Sequence, residues 1–251
     1  MTDPGRSPRL GGPRPRYVRR VTHEHVGERV SVRHLVDSSD RGPVPTDVVG
    51  RLASADDELL LIVDREAQLH VVATDRVLAS RVVPAHPRLP AEPTTGTRER
   101  PLERDAARVL LLDPSERVLL LAHAPTNDRL VWTAPGGGLR PGEDHERAAR
   151  RELAEELSVT PPLGPWIWWR TVRFAFRGLW LEQRERWFLA RLDGYDVDAP
   201  PTGDPGTGRA RWWTVEQLAA TDAELAPREI AHHLTELLAA GPPAEPVDVG
   251  R

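Results

Sequence analysis

Apolar and polar positions alternate in short bursts through the first third of the chain. Glu28 to Val36 puts Val30 and Val32 on one face of a strand, and Val48–Leu52, Leu59–Val63, Leu69–Val72 and Arg81–Val83 follow as further strands. Turn-forming residues at Ser38 to Pro45, Asp56-Asp57 and Arg65-Glu66-Ala67 separate them, and Asp75 to Leu78 reads as a single helical turn. Five short strands at this spacing predict a small all-β barrel over residues 16–87. Residues 1–15, rich in Pro, Gly and Arg, predict a disordered N-terminus, and 88–104, rich in Pro, Thr, Gly and charge, a linker.

After the linker the pattern changes. Ala106–Leu112 and Arg117–His123 are nearly continuous apolar runs, split by the turn Asp113-Pro-Ser-Glu, and such runs suit a sheet covered on both faces. Leu130–Ala134 leads into the glycine turn Pro135-Gly136-Gly137-Gly138. From Glu143 to Leu157 nothing breaks a helix, and Ala149, Leu153 and Leu157 form one apolar stripe. Trp166–Phe176 and Leu179–Leu192 read as a long hairpin around Arg177-Gly178. A loop at 193–208, a short strand at Arg211–Trp213 and helices near Val215–Ala220 and Pro227–Ala240 complete a second domain over 105–241, with a loose tail at 242–251. The expected class is α+β: a mixed sheet between helices, preceded by a small all-β barrel.

Composition narrows the chemistry. The chain of 251 residues carries a formal charge of −4, so no overall basic footprint points to nucleic acid. There is no cysteine, which excludes disulfides, thiolate nucleophiles and cysteine zinc sites. Lysine is absent too, every basic side chain being Arg, which removes P-loop and Schiff-base chemistry. No apolar run approaches the length needed to span a membrane, and the Arg- and Pro-rich start lacks the apolar core of a secretory signal. An Arg-, Ala- and Pro-rich chain of this kind resembles products of GC-rich bacterial genomes, and cytoplasm is the expected address.

The helix after the glycine turn carries the candidate chemistry. Glu152, Glu155 and Glu156 stand at i, i+3 and i+4 and gather on one face, where like charges repel unless something cationic sits among them. A hard divalent ion such as Mg²⁺ or Mn²⁺ takes such oxygen ligands. An acidic run alone is usually a solvated face, but here a glycine loop and an arginine coincide with it. The stretch GGLRPGEDHERAARRELAEELSV resembles the Nudix box, with Gly137, Glu143, Arg151, Glu152, Leu153, Glu155, Glu156 and Val159 at the family's spacing. Ser158 departs from it, standing where the family has a glycine at the helix end; a left-handed serine there costs about 1 kcal/mol.

The resemblance implies a metal-dependent hydrolase that cuts a phosphoanhydride bond in a nucleoside diphosphate linked to another moiety. It implies Glu152, Glu155 and Glu156 as metal ligands, joined by a backbone carbonyl near Gly136, and a supporting pair, Glu143 and Arg151. Glu185 in the strand LEQRERWFLAR is a candidate further ligand, with a solvent-facing residue as the equal alternative. Trp168 and Arg170 are candidates for stacking a base and holding phosphates, and Gly137 and Gly138 for lining the substrate; most tryptophans at this alternating spacing read as core. The absent cysteine argues against the isopentenyl diphosphate isomerases, relatives of the same fold.

The first domain resembles the small Src-homology-3-like barrel of some actinobacterial acetyltransferases of the GNAT superfamily, through GERVSVR, TDVVGRL and RVVPAHP. It holds no catalytic constellation: His23, His25, His34, His70 and His86 are scattered. Its expected role is binding or assembly, with its partner unspecified and a homodimer compatible with it. Nucleic-acid binding by this barrel is poorly supported, because Tyr17 is the one aromatic residue before the linker. A nucleotide-sensing protein on the same fold is the rival to the enzyme; the intact glutamate set favours catalysis.

Overall fold

The valine-rich alternation of the first third folds into one antiparallel sheet. The computed structural model describes residues 16–18, 20–36, 42–84, 96–123, 130–140, 142–192 and 210–250. Segment 1–15, linker residues 88–95 and loop 193–208 lie outside them. The chain divides into two units, 1–94 and 95–251.

In the first unit the strands are β1 (Arg16–Val18), β2 (Arg29–Val36), β3 (Val44–Ala55), β4 (Leu59–Val63), β5 (Leu69–Ala73) and β6 (Val77–Val82), ordered β1-β6-β2-β3-β4-β5. Val30, Val32, Val48, Leu52, Leu60, Ile62 and Val72 form its core. The helical turn expected at 75–78 is a 3₁₀ turn at Thr74–Arg76, so Val77 and Leu78 join the last strand, where β6 pairs with β2. An added Cβ on Gly50 would run into the carbonyl of Val63, so the β3–β4 crossing needs glycine.

The second unit opens with β7 (Leu102–Leu112), β8 (Val118–His123), β9 (Val131–Thr133) and the glycine strand β10 (Gly136–Gly138), followed by α1 (His145–Leu157). The hairpin β11 (Leu163–Phe176) and β12 (Leu179–Arg191) comes next, then β13 (Ala210–Trp213), α2 (Val215–Ala220), β14 (Glu224–Ala226), α3 (Ile230–Ala240) and β15 (Val247–Asp248). The hairpin turns at Arg177 and Gly178, both at positive φ (46° and 83°), the geometry that matches the strand twist in a two-residue loop. The sheet runs β14-β9-β8-β7-β12-β11-β15, with β10 on β7 and β13 on β8. Strand β7 lies parallel to β12 and antiparallel to β8 and β10, so the sheet is mixed.

The apolar run of β7 is explained by helices on both faces. Val109 and Leu111 pack with Ala149, Leu153 and Leu157 of α1. Leu110 and Leu112 point the other way, toward Leu218 of α2 and Ile230, Leu234 and Leu237 of α3. No helix among the described residues is long and apolar enough to cross a membrane.

Two sequence boundaries are corrected here. Residues 96–104, assigned to the linker on composition, belong to the second unit: Leu102 is buried in β7, and the Gly96 carbonyl accepts a hydrogen bond from the Trp180 amide at 2.9 Å. Residues 242–250, expected to be loose, add β15 beside β11 and bury Val249, whose N–H donates to the Trp169 carbonyl at 3.0 Å. Composition alone does not register a short edge strand held by backbone bonds.

Ser158 ends α1 in the left-handed region (φ 56°, ψ 31°), as the resemblance to a glycine position implied. Replacing it by glycine removes the Cβ penalty. Ser158→Gly is expected to stabilise the second unit by about 0.5–1 kcal/mol, read as a shift in denaturant midpoint at constant slope. A midpoint that stays put or falls contradicts this account of the helix stop.

Candidate active site

Glycine strand β10 and helix α1 form the site together. Asp144 rather than Glu143 caps the helix, its Oδ1 accepting from the Arg147 N–H at 2.8 Å, which leaves Glu143 just before the first turn. From there Glu143 meets Arg151 in a two-point fork: Oε1 accepts from Nε and Oε2 from Nη2, each at 2.8 Å. The remaining donors of Arg151 go to the Gly138 carbonyl at 3.1 Å, Glu152 Oε1 at 2.6 Å and Glu155 Oε2 at 3.0 Å. Burial works against the Arg151 charge, yet Glu143 and Glu152 hold its pKa above the ordinary value. For Glu143, burial favours the acid form but is outweighed by the Arg151 hydrogen bonds, so its pKa is lowered.

The helix carboxylates reach the strand because it is glycine. A Cβ on Gly137 would stand 2.5 Å from Glu152 Oε1, and one on Gly136, at φ 136°, would collide with the Ala107 carbonyl. The Gly136 N–H donates to Glu156 Oε2 at 2.8 Å. Glu156 is 9% exposed; burial first, then the charge of Glu152, raise its pKa to about 8. The three glutamates do not converge as a ready-made cage. Both oxygens of Glu155 accept from arginines, Oε1 from Arg140 at 2.8 Å and Oε2 from Arg151. Among the described residues the one set of three His, Asp or Glu ligand atoms within 4.8 Å of one another is His232, His233 and Glu236 on α3, which the sequence reading did not single out.

On the opposite face of β7 lies a buried ionic network. Glu185 is 2% exposed and Arg170 4%. Glu185 Oε2 accepts from Arg170 Nε at 2.5 Å and Trp187 Nε1 at 3.0 Å; Oε1 accepts from Gln183 Nε2 at 2.6 Å and Arg108 Nε at 3.3 Å. Burial alone would raise the Glu185 pKa, but Arg108 and Arg170 bring it down to about 2. Arg108 also donates from Nη1 to the carbonyls of Ala134, at 3.1 Å, and Gly136, at 2.7 Å, so it ties the network to the glycine strand.

Several sequence candidates therefore change place. Glu185 has four donors on its two oxygens and is a structural anion instead of a ligand. Arg170 is its buried partner and faces no solvent. Trp168, 3% exposed, packs against Trp187 and His233 in the core. The Gly136 carbonyl, expected to face a metal, accepts from Arg108. Gly137 borders Glu152, and Gly138 borders the guanidinium of Arg104, 3.4 Å from its Cβ position. Arg104 and Arg108 were missed: Arg104 fell in the stretch assigned to the linker, and the signal for Arg108 was a single charged residue in the otherwise apolar run Ala106–Leu112.

Residues 102–234 match the family model described as NUDIX domain. The chain is 35% identical over 106 residues to an RNA pyrophosphohydrolase of Rhodopseudomonas palustris strain BisA53, covering 37% of this chain and 60% of that protein. It is 42% identical over 81 residues to the RNA pyrophosphohydrolase of another strain of that species, covering 29% and 48%. The chain thus spans 60% or less of the length of these two relatives. Among solved structures, the MutT protein from Methanosarcina mazei Go1 aligns with a TM-score of 0.45 at 18% identity, over 56% of this chain and 97% of that one.

The buried network sets a stability expectation. Glu185→Gln leaves Arg108 and Arg170 without their anion and is expected to cost about 3–5 kcal/mol in chemical denaturation. Because the folded pKa of Glu185 lies below the ordinary value, its contribution is complete above about pH 4.3 and is lost as pH falls toward 2. The variant should therefore show a flatter decline of stability across that window. A loss under 1 kcal/mol, or an unchanged acid limb, contradicts the assignment.

Proposed function

The chain belongs to the NUDIX domain family, and from that premise we propose that it is a divalent-metal-dependent hydrolase of phosphoanhydride bonds in nucleotide-type substrates. The observation that carries this reading is the pair Glu152 and Glu156, two carboxylates brought together at the glycine strand, each with one oxygen held by a donor and the other open. Glu156 Oε1 and Glu152 Oε2 accept no hydrogen bond from any described residue. Hard oxygen donors of like charge, largely buried on one helix face, fit Mg²⁺ or Mn²⁺. Glu152 and Glu156 would hold the ion, with Glu155 at the exposed edge of the set.

When bound, such an ion supplies charge neutralisation for phosphoryl oxygens and favours ionisation of the attacking water. The chain's own residues do the positioning. Arg151 fixes the direction of Glu152 and Glu155 and locks the loop through Glu143 and the Gly138 carbonyl. The Gly136 N–H pins Glu156 Oε2 and leaves Oε1 to face the reacting centre. Names of the curated relatives support a pyrophosphohydrolase, and the first unit, an antiparallel sheet with no ligand cluster among its described residues, is read as an accessory to it.

Assay of the full chain against nucleoside triphosphates, nucleotide sugars, ADP-ribose, dinucleoside polyphosphates and 5′-triphosphorylated RNA, with Mg²⁺ or with EDTA, tests the proposal. Turnover of at least one substrate is expected with Mg²⁺ and none with EDTA. Glu156→Gln should lower kcat by at least about a hundredfold while the metal-free protein melts at an equal or higher temperature, repulsion with Glu152 being relieved. Ligand binding without turnover of any of them would favour a nucleotide sensor. In addition, a fragment of residues 95–251 is expected to keep kcat on a small substrate within a few-fold of the full chain. A folded fragment with kcat reduced tenfold or more would place part of the active site in the first unit.

A further inference from the structure

Arg104 sits on β7 two residues from Ala106, whose partner across the strand pair is Gly138. It lies on the same face as Arg108, because alternate residues of a strand share a face. Its Nε donates to Gln183 Oε1 at 2.5 Å, while Nη1 and Nη2 have no partner among the described residues. The nearest buried carboxylate, Glu185, is already committed to Arg108, Arg170, Gln183 and Trp187. The guanidinium lies against Gly138: a Cβ there would stand 3.4 Å from Arg104 Cζ and Nη1, at contact distance. Burial, then the charge of Arg108, pull its pKa down to about 10 in spite of Glu185 and Glu152. His123 Nε2 is buried without a hydrogen-bond partner among the described residues, and burial first, then the charge of Arg108, lower the pKa of that ring to about 4.

An under-compensated arginine with two donor nitrogens open, beside carboxylates that would hold a cation, calls for an anion. We propose that Arg104 is the cationic half of a phosphate-binding subsite across the glycine strand from Glu152, and that its ligand is a non-scissile phosphoryl group of a condensed phosphate chain. This deepens the hydrolase reading and rests on it: the glutamates serve the bond that is cut, and Arg104 holds a neighbouring phosphate. It selects substrates carrying three or more phosphates over those with a diphosphate alone.

Calorimetric titration of inorganic tripolyphosphate into the full chain in EDTA isolates this subsite from the metal. Wild type is expected to bind, and Arg104→Gln to bind at least tenfold more weakly. Arg104→Lys should fall between them, since it keeps charge but loses the fork, and Arg184→Gln, an exposed arginine on β12, should stay within threefold of wild type. The melting temperature of Arg104→Gln should be equal or higher, because a charge repelling Arg108 is gone; a purely structural arginine would lower it. No binding by wild type, undiminished binding by Arg104→Gln, or orthophosphate binding as tightly as tripolyphosphate overturns the proposal. The two readings fail separately. Absence of Mg²⁺-dependent turnover with this binding intact removes the hydrolase and spares the subsite, and turnover with the binding absent does the reverse.

Discussion

Helix α1 approaches the sheet across a strand without side chains, and the second unit depends on that closeness. Glu152 occupies the space that a Cβ on Gly137 would take, and Glu156 reaches the Gly136 amide. A methyl group on Gly137 would displace the Glu152 carboxylate, and one on Gly136 would run into the Ala107 carbonyl of β7, so either would disturb the backbone that orients the carboxylates. The apolar stripe of Ala149, Leu153 and Leu157 holds the helix down, so packing on one flank forces like charges together on the other. Repulsion is therefore stored by the fold, and Arg151 relieves part of it by touching three glutamates and the Gly138 carbonyl at once.

Arginine suits these positions in a way lysine would not. Each buried guanidinium serves several acceptors at fixed angles: Arg108 joins two carbonyls to Glu185, and Arg151 joins four groups. A lysine at Arg108 could satisfy one or two of these and would lose its proton more readily on burial. The network also explains why a carboxylate tolerates the sheet interior at Glu185. Its desolvation is offset by two arginines and two neutral donors, and removing any one cation would leave the charge exposed to a low dielectric.

The helix of the site was legible in the sequence because its period is unambiguous. Spacing placed Glu152, Glu155 and Glu156 on one face and Leu153 on another, and the left-handed turn at Ser158 followed from its position in the pattern. The strands were less informative. Period two says that Trp168, Arg170 and Glu185 share faces with their neighbours, but it does not say which face is wet. Arg170 and Glu185 read as candidates for holding phosphate and metal, with exposed strand residues as the alternative, and proved to be a buried pair, since two opposite charges at paired positions of β11 and β12 neutralise one another. Arg108 escaped notice for the same reason, and Arg104 because composition placed it in the linker. Recognising them required knowing that β12 lies beside β7, a long-range parallel pairing that no local pattern encodes.

The placement of charge then has a direction. On the helix side of the glycine strand, Glu143, Glu152, Glu155 and Glu156 outnumber Arg140 and Arg151; on the other side, Arg104, Arg108 and Arg170 outnumber Glu185. Neither side balances itself. Surplus anion on one side draws a cation, and surplus cation on the other draws an anion. On the proposed reading, a molecule that carries phosphate with its own divalent counter-ion would satisfy both sides at once, whereas a neutral ligand would satisfy neither. The polarity across three glycines is set by the folding of the sheet, and it is this polarity that the proposed ligand class would match.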